Sequence, residues 1–148
     1  ANPAHYGTPE KLARLFQEIR KSDPTLCRFG LCIDTAHLWS CGVDLQSFES
    51  AEDWIRRLEM VSDVIPPGRI IFHLNDSFDE RGGGVDRPAP LLGGNIWKKY
   101  GDRPQQSGLA AFINYITRNN TTAILERAPE PLLDDYAVLG RLAEDIRL

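Results

Sequence analysis

Three short runs of β-forming residues, each closed by a carboxylate or an imidazole and separated by helical stretches, constrain this chain more than any other feature. They are residues 29–34 (FGLCID), residues 69–76 (RIIFHLND) and residues 121–126 (TTAILE). Each is too short and too β-branched or aromatic to read as a helix, so each reads as a buried strand. Around them the apolar period lengthens to that of a helix. Thr8-Pro9-Glu10 offers a cap, a proline for the first turn and an acid, and Leu12, Leu15, Phe16 and Ile19 follow, predicting a helix over residues 9–22 that stops before Pro24. Ser50-x-x-Asp53 resembles a capping box opening a helix with Trp54, Ile55, Leu58 and Val61 on one face, ended by Pro66-Pro67-Gly68. Leu109, Phe112, Ile113 and Ile116 predict a helix over residues 108–118, and Leu132, Leu133, Tyr136, Leu139, Leu142 and Ile146 mark a closing one.

Strands alternating with helices give parallel βα units joined by right-handed crossovers, so the fold class is α/β. In such folds the loops after the strands converge, and ligands collect at the strands' C-terminal ends. Asp34, His73 and Glu126 stand there on one side of the sheet, and His37 follows Asp34 by three residues. Carboxylates and imidazoles placed together suit a divalent transition metal. Taken singly, each has a plainer role: Asp34 as the cap of a helical turn, the histidines as packed side chains, Glu126 as the partner of Arg127 or another surface cation. Residues 77–107, with the run Gly82-Gly83-Gly84 and no period, read as one long loop, and such loops are often functional.

Three parallel strands cannot close on themselves. A (β/α) barrel takes eight strands and about 250 residues, and an open three-stranded sheet leaves two edges and an apolar face to cover. The expectation is one domain of parallel βα units over residues 1–148, its sheet completed by a second chain, a second copy or a missing N-terminal segment.

Composition narrows the partners. A net charge of -4 and a pI near 5.4 exclude a protein that coats nucleic acid nonspecifically, and no apolar run is long enough for a membrane span. Cys27, Cys32 and Cys41 are odd in number and lack C-x-x-C spacing, which points to reduced core or near-core thiols in the cytoplasm or another reducing compartment. Arg81, Arg87, Lys98, Lys99 and Arg103 are nearly cancelled by Asp79, Glu80, Asp86 and Asp102, as in a solvated loop. Trp39, Trp54 and Trp97 read as packing residues rather than base-stacking ones, with Trp97, in the loop, the one that calls for a test.

Several motifs together carry a resemblance. Ile33-Asp34-Thr35-Ala36-His37 with Gly42-x-Asp44-Leu45, then His73-Leu74-Asn75-Asp76, Val85-Asp86-Arg87, Gly94-Asn95-Ile96 and Leu125-Glu126 resemble, in order, the motifs of the endonuclease IV family. The similarity runs from Ala1 to about Pro129 and corresponds to the C-terminal half of that family's TIM barrel, so it implies a partial (β/α) TIM-type barrel of parallel βα units. It implies an apurinic/apyrimidinic-site (AP) endonuclease of base-excision repair acting on abasic-site DNA, and a zinc cluster, with manganese as the alternative metal. It further implies metal-ligand roles for Asp34, His37, His73, Asp86 and Glu126, with Glu126 also catalytic.

The departures limit what is implied. Where the family has Asp-Arg-His this chain has Asp86-Arg87-Pro88, so the metal shared by His37 and Asp86 loses a ligand; where the family has a bridging Glu before Asn this chain has Ala1, and residues 98–106 resemble an insertion. The resemblance therefore implies activity for an intact parent and none for this chain alone. Two other classes fit parts of the pattern: a metal-dependent sugar isomerase or epimerase on a related barrel, and an interaction protein that keeps the fold without the chemistry.

Overall fold

The computed structural model describes residues 6–25 and 29–147. Ala1 and Cys27 therefore lie outside the described residues. Helix α1 (Pro9–Ser22) starts as its residues require: the Thr8 side chain accepts from the Lys11 N–H, and Pro9 occupies the first turn, where its missing N–H costs nothing. Strand β1 (Leu31–Asp34) runs directly into helix α2 (Thr35–Ser40). Helix α3 (Phe48–Met60) begins earlier than its Ser50-x-x-Asp53 pattern suggests. The working capping box is Ser47 with Ser50, whose hydroxyls each accept the other's backbone N–H at 3.1 and 3.2 Å.

Strand β2 (Ile70–His73) pairs in parallel with β1 and with β5 (Thr122–Ile124), giving a sheet of order β1-β2-β5. The register sets Asp34 beside His73 and His73 beside Ile124. The expected second strand is thus too long: beyond His73 the backbone leaves the sheet, and β3 (Asp76–Ser77) pairs antiparallel with β4 (Pro88–Ala89). Glu126 lies two residues past β5 rather than in it.

Alternation along the strands separates two faces. Ile33, Ile70 and Phe72 are buried against α3 and α4 (Gly108–Asn119), where Phe72 meets the Phe112 and Tyr115 rings edge-on at 5.9 and 5.7 Å between centroids. Cys32, Ile71 and Ile124 point the other way and are exposed, Ile71 and Ile124 at 38% and 40%. Cys32 is accordingly not the core thiol expected, and Cys41 is half-buried.

The long loop of residues 77–107 is more ordered than its sequence suggests. It holds β4 and two 3-10 turns, Lys98–Tyr100 and Pro104–Gln106. Its anchor is Trp97, fully buried, whose indole N–H donates to the Leu45 carbonyl at 2.8 Å; Trp39 and Trp54 are buried too, so all three tryptophans pack. The glycine run lies on the end of α2. Gly82 and Gly84, at φ +76° and +67°, donate to the Trp39 and Ser40 carbonyls, which only glycine does without strain at these angles.

Helix α5 (Pro129–Arg147) closes the chain with only part of its expected apolar stripe inward: Leu142 is buried and Leu139 packs against the core. Leu133 and Tyr136 are exposed, while Asp135, Val138 and Leu142 are buried; the Ile146 side chain lies outside the described residues. No helix among the described residues is long and apolar enough to cross a membrane.

Candidate functional site

Asp34 is both the last residue of β1 and the cap of α2, and its two oxygens divide the work. Oδ1 accepts from the Ala36 and His37 backbone N–H groups at 2.8 and 3.3 Å. Oδ2 is left facing the sheet's C-terminal edge, where the Asn75 amide donates to it at 2.8 Å and the Nδ1 atoms of His37 and His73 lie 3.4 and 3.8 Å away. The plain cap role is therefore confirmed through Oδ1, and it leaves Oδ2 of the same side chain turned toward the two imidazoles.

The remaining candidates extend outward from that oxygen. His37 Nε2 lies 2.8 Å from Asp86 Oδ2, because the glycine run brings residue 86 back over α2. His73 Nδ1 lies 3.3 Å from Glu126 Oε2. The result is one line of contacts, Asp86–His37–Asp34–His73–Glu126, across the C-terminal ends of the strands. Asp34 is deepest, its side chain 10% exposed, whereas Glu126 stands 74% exposed at the rim. Two imidazoles and three carboxylates are donor chemistry that zinc and manganese both accept. They meet pairwise: among the described residues no group of three or more His, Cys, Asp or Glu closes on one point as a ready-made metal site.

Residues to which the motifs gave no role hold this line in place. Thr35 Oγ1 donates to the Asn75 carbonyl at 2.6 Å and accepts from its N–H at 2.9 Å, tying the start of α2 to the end of β2. Asp79 grips Arg87 beside Asp86: its Oδ2 accepts the Arg87 backbone N–H at 2.9 Å, and its Oδ1 accepts from the guanidinium, which holds the Asp79 carboxyl below the usual range. Arg127 is not a surface partner of Glu126. Its side chain is 5% exposed and pairs with buried Asp135 at 3.0 Å. The clue in the sequence was an acid placed in the apolar stripe of α5.

Asp76 is the structural hub of the loop rather than a strand-end ligand. Fully buried, it accepts from Ser77 and Ile96 N–H through Oδ1 at 2.8 and 2.9 Å and from Trp97 N–H through Oδ2 at 3.2 Å. Burial pushes its carboxyl up to about 6 against the opposing pull of those N–H groups. Because the folded value lies above the unfolded one, its contribution to stability is fully present below the unfolded value and is lost as pH rises through about 6. A carbon-detected NMR titration of the Asp76 carboxyl is expected to show a midpoint near 6; a midpoint in the ordinary aspartate range, about 3.9, would refute this.

No family model matches the chain. Over 122 residues, 82% of its length, it is 51% identical to a "Probable AP endonuclease" of African swine fever virus. It is also 33% identical over 99 residues to a "Probable endonuclease 4" of Mycoplasmopsis synoviae. Among solved structures, one described as "The crystal structure of AsfvAP:AG" superposes with a TM-score of 0.87 at 45% identity, covering 93% of this chain and 48% of that one. The chain spans 40% of the viral relative's length and 31% of the mycoplasmal one's. Over most of its own length, and over less than half of theirs, the chain is a homologue of the AP endonuclease and endonuclease 4 proteins.

Proposed function

We propose that this chain forms the metal-bearing part of an AP endonuclease that cleaves the DNA phosphodiester at abasic sites, and that its sheet is one sector of a TIM-type barrel. The observation that carries the reading is the single line of contacts from Asp86 to Glu126, assembled from five separate motif residues at the C-terminal ends of parallel strands. The names of its homologues support the same activity.

Asp34, His73 and Glu126 would hold one metal position, and His37 with Asp86 a second. A divalent zinc or manganese there supplies Lewis acidity toward a phosphate oxygen and toward water. The chain's own residues supply the frame. Asp34 faces both imidazoles through one fixed oxygen; Glu126, 3.3 Å from His73 at the exposed rim, stands on the side from which a phosphodiester would arrive. Pro88, in β4, brings no donor to the second position. DNA recognition in this reading rests on the shape of the duplex and an extruded abasic nucleotide rather than on bulk positive charge. The test is metal-dependent incision of a duplex bearing one abasic analogue, assayed for the chain alone and for the completed barrel; a completed barrel that binds such DNA and leaves it uncut refutes the proposal.

The exposed sheet face with Cys32, Ile71 and Ile124 is, on this reading, the inner wall of the barrel, covered by the remaining βα units. The share of the structural neighbour left unmatched supports this, being about half. Alone, the chain is expected to self-associate and to bind a hydrophobic dye through that face. Light scattering that shows a dye-free monomer with a cooperative melt would overturn the expectation.

A further inference from the structure

Asn75 is buried between β2 and β3, and its side-chain amide faces two ways. Nδ2 donates to Asp34 Oδ2 at 2.8 Å, and Oδ1 accepts from Arg127 Nη1. Arg127 is itself held on several sides: Nε donates to Asp135 Oδ2 at 3.0 Å, Nη1 to the Glu126 carbonyl at 3.0 Å and Nη2 to the Leu74 carbonyl at 3.3 Å. The other Asp135 oxygen accepts the Leu91 N–H at 2.9 Å. The relay thus starts on α5, passes the residues that follow β5 and β2, and ends on the carboxylate that closes β1.

We propose that Arg127 and Asp135 are a positioning pair that orients Asp34 through Asn75. The inference rests on the metal-site reading above for its purpose but not for its geometry. An asparagine amide has two orientations differing only in which end is oxygen. Guanidinium is a donor with no acceptor, so Arg127 takes the Oδ1 end and leaves the NH₂ end for Asp34. In the flipped orientation a carbonyl oxygen would face the Asp34 carboxylate and an NH₂ group would face the guanidinium, both repulsive. The fixed amide occupies one lone pair of Asp34 Oδ2 and leaves the side toward His37 and His73 open. Lysine cannot replace arginine, because a single ammonium cannot span Asp135, Asn75 and the Leu74 carbonyl together. Fold stability alone does not call for this pair, since buried ion pairs replaced by neutral groups of similar volume are often tolerated.

The test is the double variant Arg127→Met with Asp135→Asn in the full chain, in which Asn keeps an acceptor for the Leu91 N–H. Three quantities are compared with wild type: melting temperature, the ¹H–¹⁵N resonances of the Asn75 side-chain amide, and Zn²⁺ affinity by calorimetry. The proposal expects near-wild-type melting, displaced and broadened Asn75 amide resonances, and Zn²⁺ affinity weakened about 10- to 100-fold, the scale for partners that orient metal ligands. Asn75→Ala should cause a similar loss of affinity and add little when combined with the double variant. A folded double variant with unchanged Asn75 resonances overturns the proposal, as does one with displaced resonances and wild-type Zn²⁺ affinity. If the wild-type chain binds no Zn²⁺, the metal reading fails while the amide resonances still judge the pair. If the double variant does not fold, Arg127→Lys takes its place, with displaced resonances supporting the proposal and unchanged ones overturning it.

Discussion

Gly108→Ala is expected to destabilise this chain severely, removing a large share of its folding free energy. Gly108 opens α4 where the helix crosses the segment before α3, and its N–H donates to the Gln46 carbonyl at 2.8 Å. A β-carbon there would lie 1.9 Å from the Leu45 carbonyl oxygen and 2.9 Å from the Ala51 β-carbon. The first obstacle is backbone, and Leu45 is doubly committed because the same carbonyl accepts the Trp97 indole N–H. Relief would need α4 to move away from α3, opening the Phe112 contacts with Trp54 and Phe72 on which the core is built. The cost should fall in the tail of single-substitution effects, about 4 kcal/mol or more, against a total domain stability of about 5–15 kcal/mol. Gly140→Ala is the control: it sits exposed in α5, an added β-carbon meets nothing within 4 Å, and the change should stabilise the helix by about 1 kcal/mol. Thermal melts of both variants decide the matter; a Gly108→Ala protein that melts within a few degrees of wild type would refute the account of how α3 and α4 meet.

Neither zinc nor manganese should enable the isolated chain to incise abasic DNA, and in the completed barrel Glu126→Gln should remove most of the activity. Groups that act together on one phosphate fail together when one is lost. Among the described residues the candidate ligand groups meet only in pairs, and Pro88 adds none. The net charge of -4 gives little general attraction for a polyanion. Within the barrel, Gln keeps the size of Glu126 and one carbonyl oxygen but loses the negative charge and the ability to take a proton. A loss of at least about a hundredfold in kcat/KM is expected, since outer partners of metal ligands alone reach that scale. Metal-dependent incision by the 148-residue chain, abolished by Glu126→Gln, would show that three strands suffice.

The strands and their polar ends were legible because short β-branched runs and a change of period are local signals, and local signals survive in a single sequence. The pairing of Asp34 with His37 was legible for the same reason: three residues separate them on one turn. Arg127 and Asp135 were not, because each taken singly reads as a solvated charge and only the packing of α5 buries them together. That packing also explains Leu133 and Tyr136, which carry the apolar period of the helix but face away from the core. The order within residues 77–107 was hidden because its bonds run to the Asp76 carboxylate and to the Leu45 carbonyl rather than to periodic neighbours. The true start of α3 was missed because serine at its third position signals a capping box more weakly than glutamate.

The division of labour within Asp34 has a consequence for how such a protein would decay if selection on its chemistry were relaxed. One oxygen holds the first turn of α2 regardless of what the other does, so a descendant with no use for metal would still be penalised for discarding the residue. His37, whose side chain is 63% exposed and fills no part of the core, carries no such obligation. In a lineage drifting toward inactivity the histidine should vanish first and the aspartate linger, which makes His37 the better witness to a working site and Asp34 a relic that can outlive its purpose.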